Sequence, residues 1–166
     1  MQISKCFPSA TILIVLAMVA YPTHPSVVNP FLGTWILDVE ESTFEPGPPL
    51  RSETWSAAAA TGGQTHFVDS WVESDGTKGQ VEFTIGFDGR PAAVTGSAEF
   101  DSTIYKKIDG RSYRSSLLKN GIIIERELHV VSPDGNSWHA TERGKDLQGT
   151  PYTYHLVFKR QPTATP

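Results

Sequence analysis

The second half of the chain alternates between apolar and polar positions. Val81, Phe83, Ile85 and Phe87 fall on one side of an extended segment, with Gln80, Glu82 and Thr84 on the other. Tyr152, Tyr154, Leu156 and Phe158 repeat the pattern near the end. A period of two is that of a strand with one buried face. Ile122, Ile124, Leu128 and Val130 share a third such face, interrupted by Arg126. Asp75-Gly76, Asp88-Gly89, Asp109-Gly110, Asn120-Gly121 and Asp134-Gly135 punctuate these segments. Such dipeptides accept the positive φ that tight hairpins require. The pattern predicts strands at 33–39, 51–57, 64–73, 78–87, 92–96, 102–108, 111–119, 122–131, 136–143 and 152–160. No segment between them carries a helical period with caps. Residues 42–49 are too rich in proline for a helix, and 57–63 read as a flexible loop. The expected fold is all-β, an antiparallel up-and-down barrel of about eight to ten strands. Closure removes the exposed edges that an open sheet would leave. An open sandwich is the competing architecture, and the succession of short hairpins favours the meander.

The N-terminus changes the picture of where the protein works. Lys5 precedes the apolar run Thr11 to Ala20, which has the length of a signal-peptide core and is too short to span about 30 Å of hydrocarbon. Residues 1–20 are expected to be a signal peptide, cleaved after Ala17 or Ala20. Residues 21–28 would be a linker, 29–161 the barrel domain and 162–166 a disordered tail. The protein is therefore expected to be exported, to the periplasm or beyond, with no membrane span once the signal is removed. An uncleaved anchor is the alternative. Cys6 is the single cysteine and lies before the apolar run, so the processed chain has no disulfide to lean on.

The whole chain of 166 residues suits one domain and has a formal charge of -4, which becomes -5 when Lys5 leaves with the signal. That balance argues against nucleic acid or an anionic membrane surface as partner, since both call for a basic face. A monomer is expected.

Candidate chemistry is sparse. His66, His129, His139 and His155 show no metal-ligand spacing, and no cysteine is available to help. By strand parity His129 and His155 lie opposite the apolar faces, as solvated outer residues. The sharper reading of His155 is a haem ligand on the last strand. Glu125 and Glu127 read as a solvated acidic face. Arg126 shares the other face with Ile124 and Leu128, and an inward arginine could hold a carboxylate. It could equally pair with an interior acid such as Glu142, or mark a bulge. There is no Gly-x-Ser-x-Gly elbow, no phosphate-cradling loop and no carboxylate pair marked out for acid–base work. No catalytic residue, metal or cofactor is assigned. The inward side chains Phe83, Phe87, Arg126, Tyr154 and Leu156 are the candidate ligand contacts.

The stretch Asn29-Pro30-Phe31-Leu32-Gly33-Thr34-Trp35-Ile36-Leu37 adds a resemblance. With Ser42 to Pro49, Phe87-Asp88-Gly89-Arg90, Val94 to Ser97, Val131 to Gly135 and Asp146 to Gly149, it resembles small secreted bacterial lipocalin-like proteins, within the calycin superfamily of lipocalins and fatty-acid-binding proteins. The resemblance covers most of 29–161. It implies a barrel closed at one end by Gly33, Trp35 and Arg160, the arginine stacking on the indole. It also implies a small hydrophobic or amphipathic ligand, and it carries over no catalytic residue. The alternatives are a filled barrel serving as a structural or interaction module, and a calycin-type enzyme. The chain departs from fatty-acid-binding proteins in having a Pro-rich loop where they have a helical lid, and from most lipocalins in lacking a disulfide.

Overall fold

The structure, a computed structural model, describes residues 29–146 and 148–162. The expected signal peptide, the linker and all of the tail but Pro162 lie outside them. Eleven strands follow one another: β1 (Gly33–Leu37), β2 (Thr43–Glu45), β3 (Ser52–Ala59), β4 (Thr65–Val72), β5 (Lys78–Ile85), β6 (Asp88–Ala93), β7 (Ser102–Lys107), β8 (Ser112–Lys119), β9 (Ile122–Val131), β10 (Ser137–Lys145) and β11 (Pro151–Arg160). All pairings are antiparallel, in the order β5-β4-β3-β1-β11-β10-β9-β8-β7-β6. The last strand returns to the first, Trp35 opposite Arg160. Ten strands thus wind up and down into a nearly closed barrel, as the alternation and the turn dipeptides predicted. The seam lies between β5 and β6, where Glu82 and Thr95 exchange two backbone hydrogen bonds of 3.0 Å.

Two local expectations shift. The Pro-rich segment is not all loop: β2 within it pairs with β11, Phe44 opposite Tyr154. Asp88-Gly89 is not the turn itself but the first two residues of β6. Gly89 has φ of 85°, and the β6–β7 register slips between Asp88 and Pro91. The extra residue makes a bulge that bends β6.

One end of the barrel carries the start of β1, the end of β11 and the β3–β4, β5–β6, β7–β8 and β9–β10 connections. Its interior is aromatic. Trp35, Phe67, Trp138 and Phe158 are fully buried, with Phe31, Tyr105 and Tyr113 almost so. Ring contacts link Trp35 to Trp138 at 5.8 Å, Trp138 to Phe31 at 5.5 Å and Phe67 to Tyr105 at 5.6 Å. Burying large rings in near edge-on or offset contact is what stabilises this half. The far end, with the β4–β5, β8–β9 and β10–β11 hairpins, differs in kind.

Candidate functional site

The aromatic end is locked by three residues. Gly33 has φ of 120°, and a Cβ there would meet Arg160 Nη1 at 2.8 Å, so the position suits only glycine. Arg160 lies over the Trp35 ring, 4.0 Å from its centroid. Its Nη1 donates to the Leu32 carbonyl at 2.5 Å, Nη2 to that of Pro30 at 2.6 Å and Nε to that of Gly135 at 2.6 Å. Trp35 Nε1 donates to the Phe31 carbonyl at 2.8 Å. One guanidinium thus ties the chain entry to the β9–β10 turn. A surface cleft of about 850 Å³ lies beside this end, lined in part by Phe31, Phe87, Arg90 and Tyr113.

The five expected ligand contacts do not converge. Phe83 packs on Phe67 and Tyr105 at 5.4 and 5.5 Å, and Leu156 is buried. Both are core residues. Phe87 stands against Tyr113 at 5.1 Å and reaches the end cleft. Tyr154 sits at the other end, 5.1 Å from Phe44 and 4.8 Å from Tyr152. Arg126 is exposed on the outer surface, and the inward position expected for it is corrected.

The physical reason lies in register. Trp138 is completely buried in the plug of rings, and it pairs with Val131. That contact turns the odd-numbered residues of β9 inward: Glu127, His129 and Val131 are buried, while Leu128 and Val130 remain 39% exposed. A one-residue choice of face moves every side chain of a strand, so the apolar count along β9 pointed the wrong way. The same correction applies to His129, expected outside and found 1% exposed, and to Glu125 and Glu127, expected as a solvated face. His155 does lie on the outside, beside Thr141 Oγ1 at 3.2 Å, which removes it as an interior haem ligand.

The far half of the interior is acidic. β3 contributes Glu53, β4 Asp69, β9 Glu125 and Glu127, and β10 Glu142. Glu127 and Glu142 are direct cross-strand partners. Oxygen atoms of Glu125, Glu127 and Glu142 lie within 4.8 Å of one another. Tyr152 donates to Glu125 by crossing over Gly144, the β10 residue between them in register. A Cβ on Gly144 would meet Tyr152 Oη at 2.6 Å, so the missing side chain is what admits the phenol. Trp55 Nε1 donates to Glu53 at 2.5 Å. No Lys or Arg among the described residues pairs with these acids.

Burial and mutual repulsion act together on this group. Burial pushes the Glu53 carboxyl up to about 7, and the charges of Glu127 and Glu125 add to the rise. Burial, then Glu53 and Glu127, hold Asp69 well above the ordinary range. Glu125, Glu127 and Glu142 are raised as well, burial first in each. The unpaired charged form is the costly one in such a setting.

A third cluster joins the two halves. Ser115 Oγ lies 2.7 Å from His129 Nε2 and donates to Glu127. His129 Nε2 is 2.8 Å from Glu127 Oε2, and Trp138 Nε1 donates to His129 Nδ1 at 3.2 Å. The indole N–H can only donate, so Nδ1 accepts and the ring proton sits on Nε2. Burial depresses the imidazole to about 3. The contact with Glu127 is therefore a hydrogen bond from a neutral ring rather than an ion pair. The nitrogen facing Ser115 is already protonated, so His129 cannot take the serine proton as a general base. The arrangement is wired to hold β8, β9 and β10 together.

Sequence reasoning offered Glu142 as an interior acid but missed the cluster, because each acid lies alone in its strand, apart from Glu125-x-Glu127. That spacing, which sets two carboxylates on one face of a strand, was the available signal. No protein-family model matches the chain, and no curated protein matches it. No helix among the described residues is long and apolar enough to cross a membrane.

Proposed function

We propose that the protein is an exported, lipocalin-like binding barrel that takes a small amphipathic molecule in from its far end. The observation that carries this reading is the contrast inside the barrel. A module that merely filled itself would need no inward carboxyl groups, and five of them, three buried, with no Lys or Arg partner among the described residues are a poor way to build a core. The half-buried rings of Phe44, Tyr152 and Tyr154 stand beside these acids, and a few polar groups framed by aromatic rings are a usual form for a ligand site. The N-terminal segment supports export, and the closing trio Gly33, Trp35 and Arg160 supports kinship with calycins.

The acids set the polarity of the ligand. With Arg126 outside, no Lys or Arg among the described residues pairs with the interior acids to favour a carboxylate, and repulsion opposes one. The ligand should carry a neutral or cationic polar end. Displacement of the fluorescent probe N-phenyl-1-naphthylamine tests this. Dodecanol and dodecylamine should displace the probe, and dodecanoate at neutral pH should not. Equal displacement by dodecanoate would refute the assigned polarity. Absence of probe binding, with a bare polypeptide mass in native mass spectrometry, would favour the filled barrel.

A further inference from the structure

We propose that Glu125, Glu127 and Glu142 form a binding site for one hard divalent cation, of the Ca²⁺, Mg²⁺ or Mn²⁺ class, inside the far half of the barrel. The site stands whether or not an organic ligand also enters.

The first support is geometry. Three carboxylate oxygens from two adjacent strands converge within 4.8 Å. An ion held about 2.0–2.6 Å from each oxygen would set them at roughly that spacing. All three donors are carboxylates, the ligand type that hard cations prefer. Glu127 is fixed from behind by Ser115 and His129, and Glu125 by Tyr152. Such partners orient a ligating carboxylate. Glu125 and Glu142 are half-buried rather than fully enclosed.

The second support is independent of the triad. Asp69, on β4, is 8% exposed and its Oδ1 has no hydrogen-bond partner. It lies on the inward face of its strand, with the Glu53 carboxyl as its nearest charge and Glu127 the next. A buried carboxylate oxygen left without a donor calls for something cationic, or for the water such an ion carries. Glu127 and Glu142 give a further reason, since like charges directly opposite across a ladder repel unless something lies between them.

Mn²⁺ is the direct probe, because its six-line electron paramagnetic resonance signal in solution vanishes on binding. The full chain, stripped with chelator and titrated at neutral pH, should bind one Mn²⁺ per molecule. Ca²⁺ or Mg²⁺ in excess should release it. E125Q/E142Q should weaken binding at least a hundredfold with an unchanged near-ultraviolet circular dichroism spectrum. Should that variant fail to fold, E142D keeps the charge, withdraws the oxygens by one methylene, and should weaken binding about tenfold. No loss of the free signal at millimolar protein would overturn the site, leaving protons as what neutralises the acids. Binding that neither variant weakens would overturn it too, placing the ion on the surface.

Discussion

At the end where the chain enters the barrel, aromatic rings dominate the interior, with Ile85 and Val131 packed among them. At the other end five carboxyl groups face inward, with the Tyr152 phenol and the Trp55 indole hydrogen-bonded to two of them. Both halves are built from the same strands, and β9 shows the change within ten residues: Val131 and His129 face the rings, Glu127 and Glu125 face the acids. The comparison teaches that one alternating pattern can build two interiors. The ring-packed half supplies stability. The acidic half costs stability and is where binding is expected.

The sharpest way to break that contrast is to empty the packed half. Trp35→Ala removes a fully buried indole and should cost about 3–5 kcal/mol. Guanidinium denaturation of the variant checks it, and a loss under about 1 kcal/mol would mean that Trp35 does not hold that half together.

The acidic half should instead reveal itself through pH. Folding raises Glu53 from 4.5 to about 7, so the folded state grips that proton more tightly than the unfolded chain does. The stabilisation is complete below about pH 4.5 and is lost as pH rises through about 7. Asp69, Glu125, Glu127 and Glu142 face Glu53 and shift in the same direction. His129 works the other way: drawn from 6.5 to about 3, it contributes fully above 6.5 and loses its contribution as pH falls towards 3. Comparison with Glu53→Gln isolates one carboxyl from the rest. Between about pH 4 and pH 8 the wild type should lose about 3 kcal/mol relative to this variant. Parallel pH profiles would show that Glu53 is not held protonated by the fold.

Arg160→Leu tests the link between the two ends of the chain. It removes the stacking on Trp35 and three donated hydrogen bonds, at a cost of about 1–3 kcal/mol in a thermal melt. Arg160→Lys should recover only part, because an ammonium cannot reach three carbonyls in one plane. The smallest effect is expected outside the barrel. Arg126→Leu should change stability by less than about 0.5 kcal/mol and leave probe binding untouched. A large change in binding would return Arg126 to the site and undo the assignment of faces on β9.

Much of the barrel was legible from local rules. Strand after strand falls where the alternation and the Asp-Gly or Asn-Gly dipeptides place it, because hairpin turns need positive φ and half-buried strands need a period of two. The cluster of acids was not legible. Glu53, Asp69, Glu127 and Glu142 come from four strands, and their meeting depends on which face each strand turns inward. On β5 and β11 the apolar count gives that face correctly. On β9 it fails, since Leu128 and Val130 tolerate solvent while His129 and Glu127 are held inside by Trp138, Ser115 and each other.

The sequence by itself determined the all-β class, the order and hairpin pairing of the strands, and the position of the chain-entry glycine and tryptophan. These follow from interactions between residues close along the chain, or from the backbone freedom of single residues. Only the tertiary structure decided which face of β9 is interior, and that a carboxyl group from β10 stands opposite one from β9 with no Lys or Arg among the described residues paired to either. Those outcomes depend on closure. Once the last strand pairs with the first, each strand's register is fixed by all the others, and a single buried tryptophan can outweigh the hydrophobicity of its neighbours.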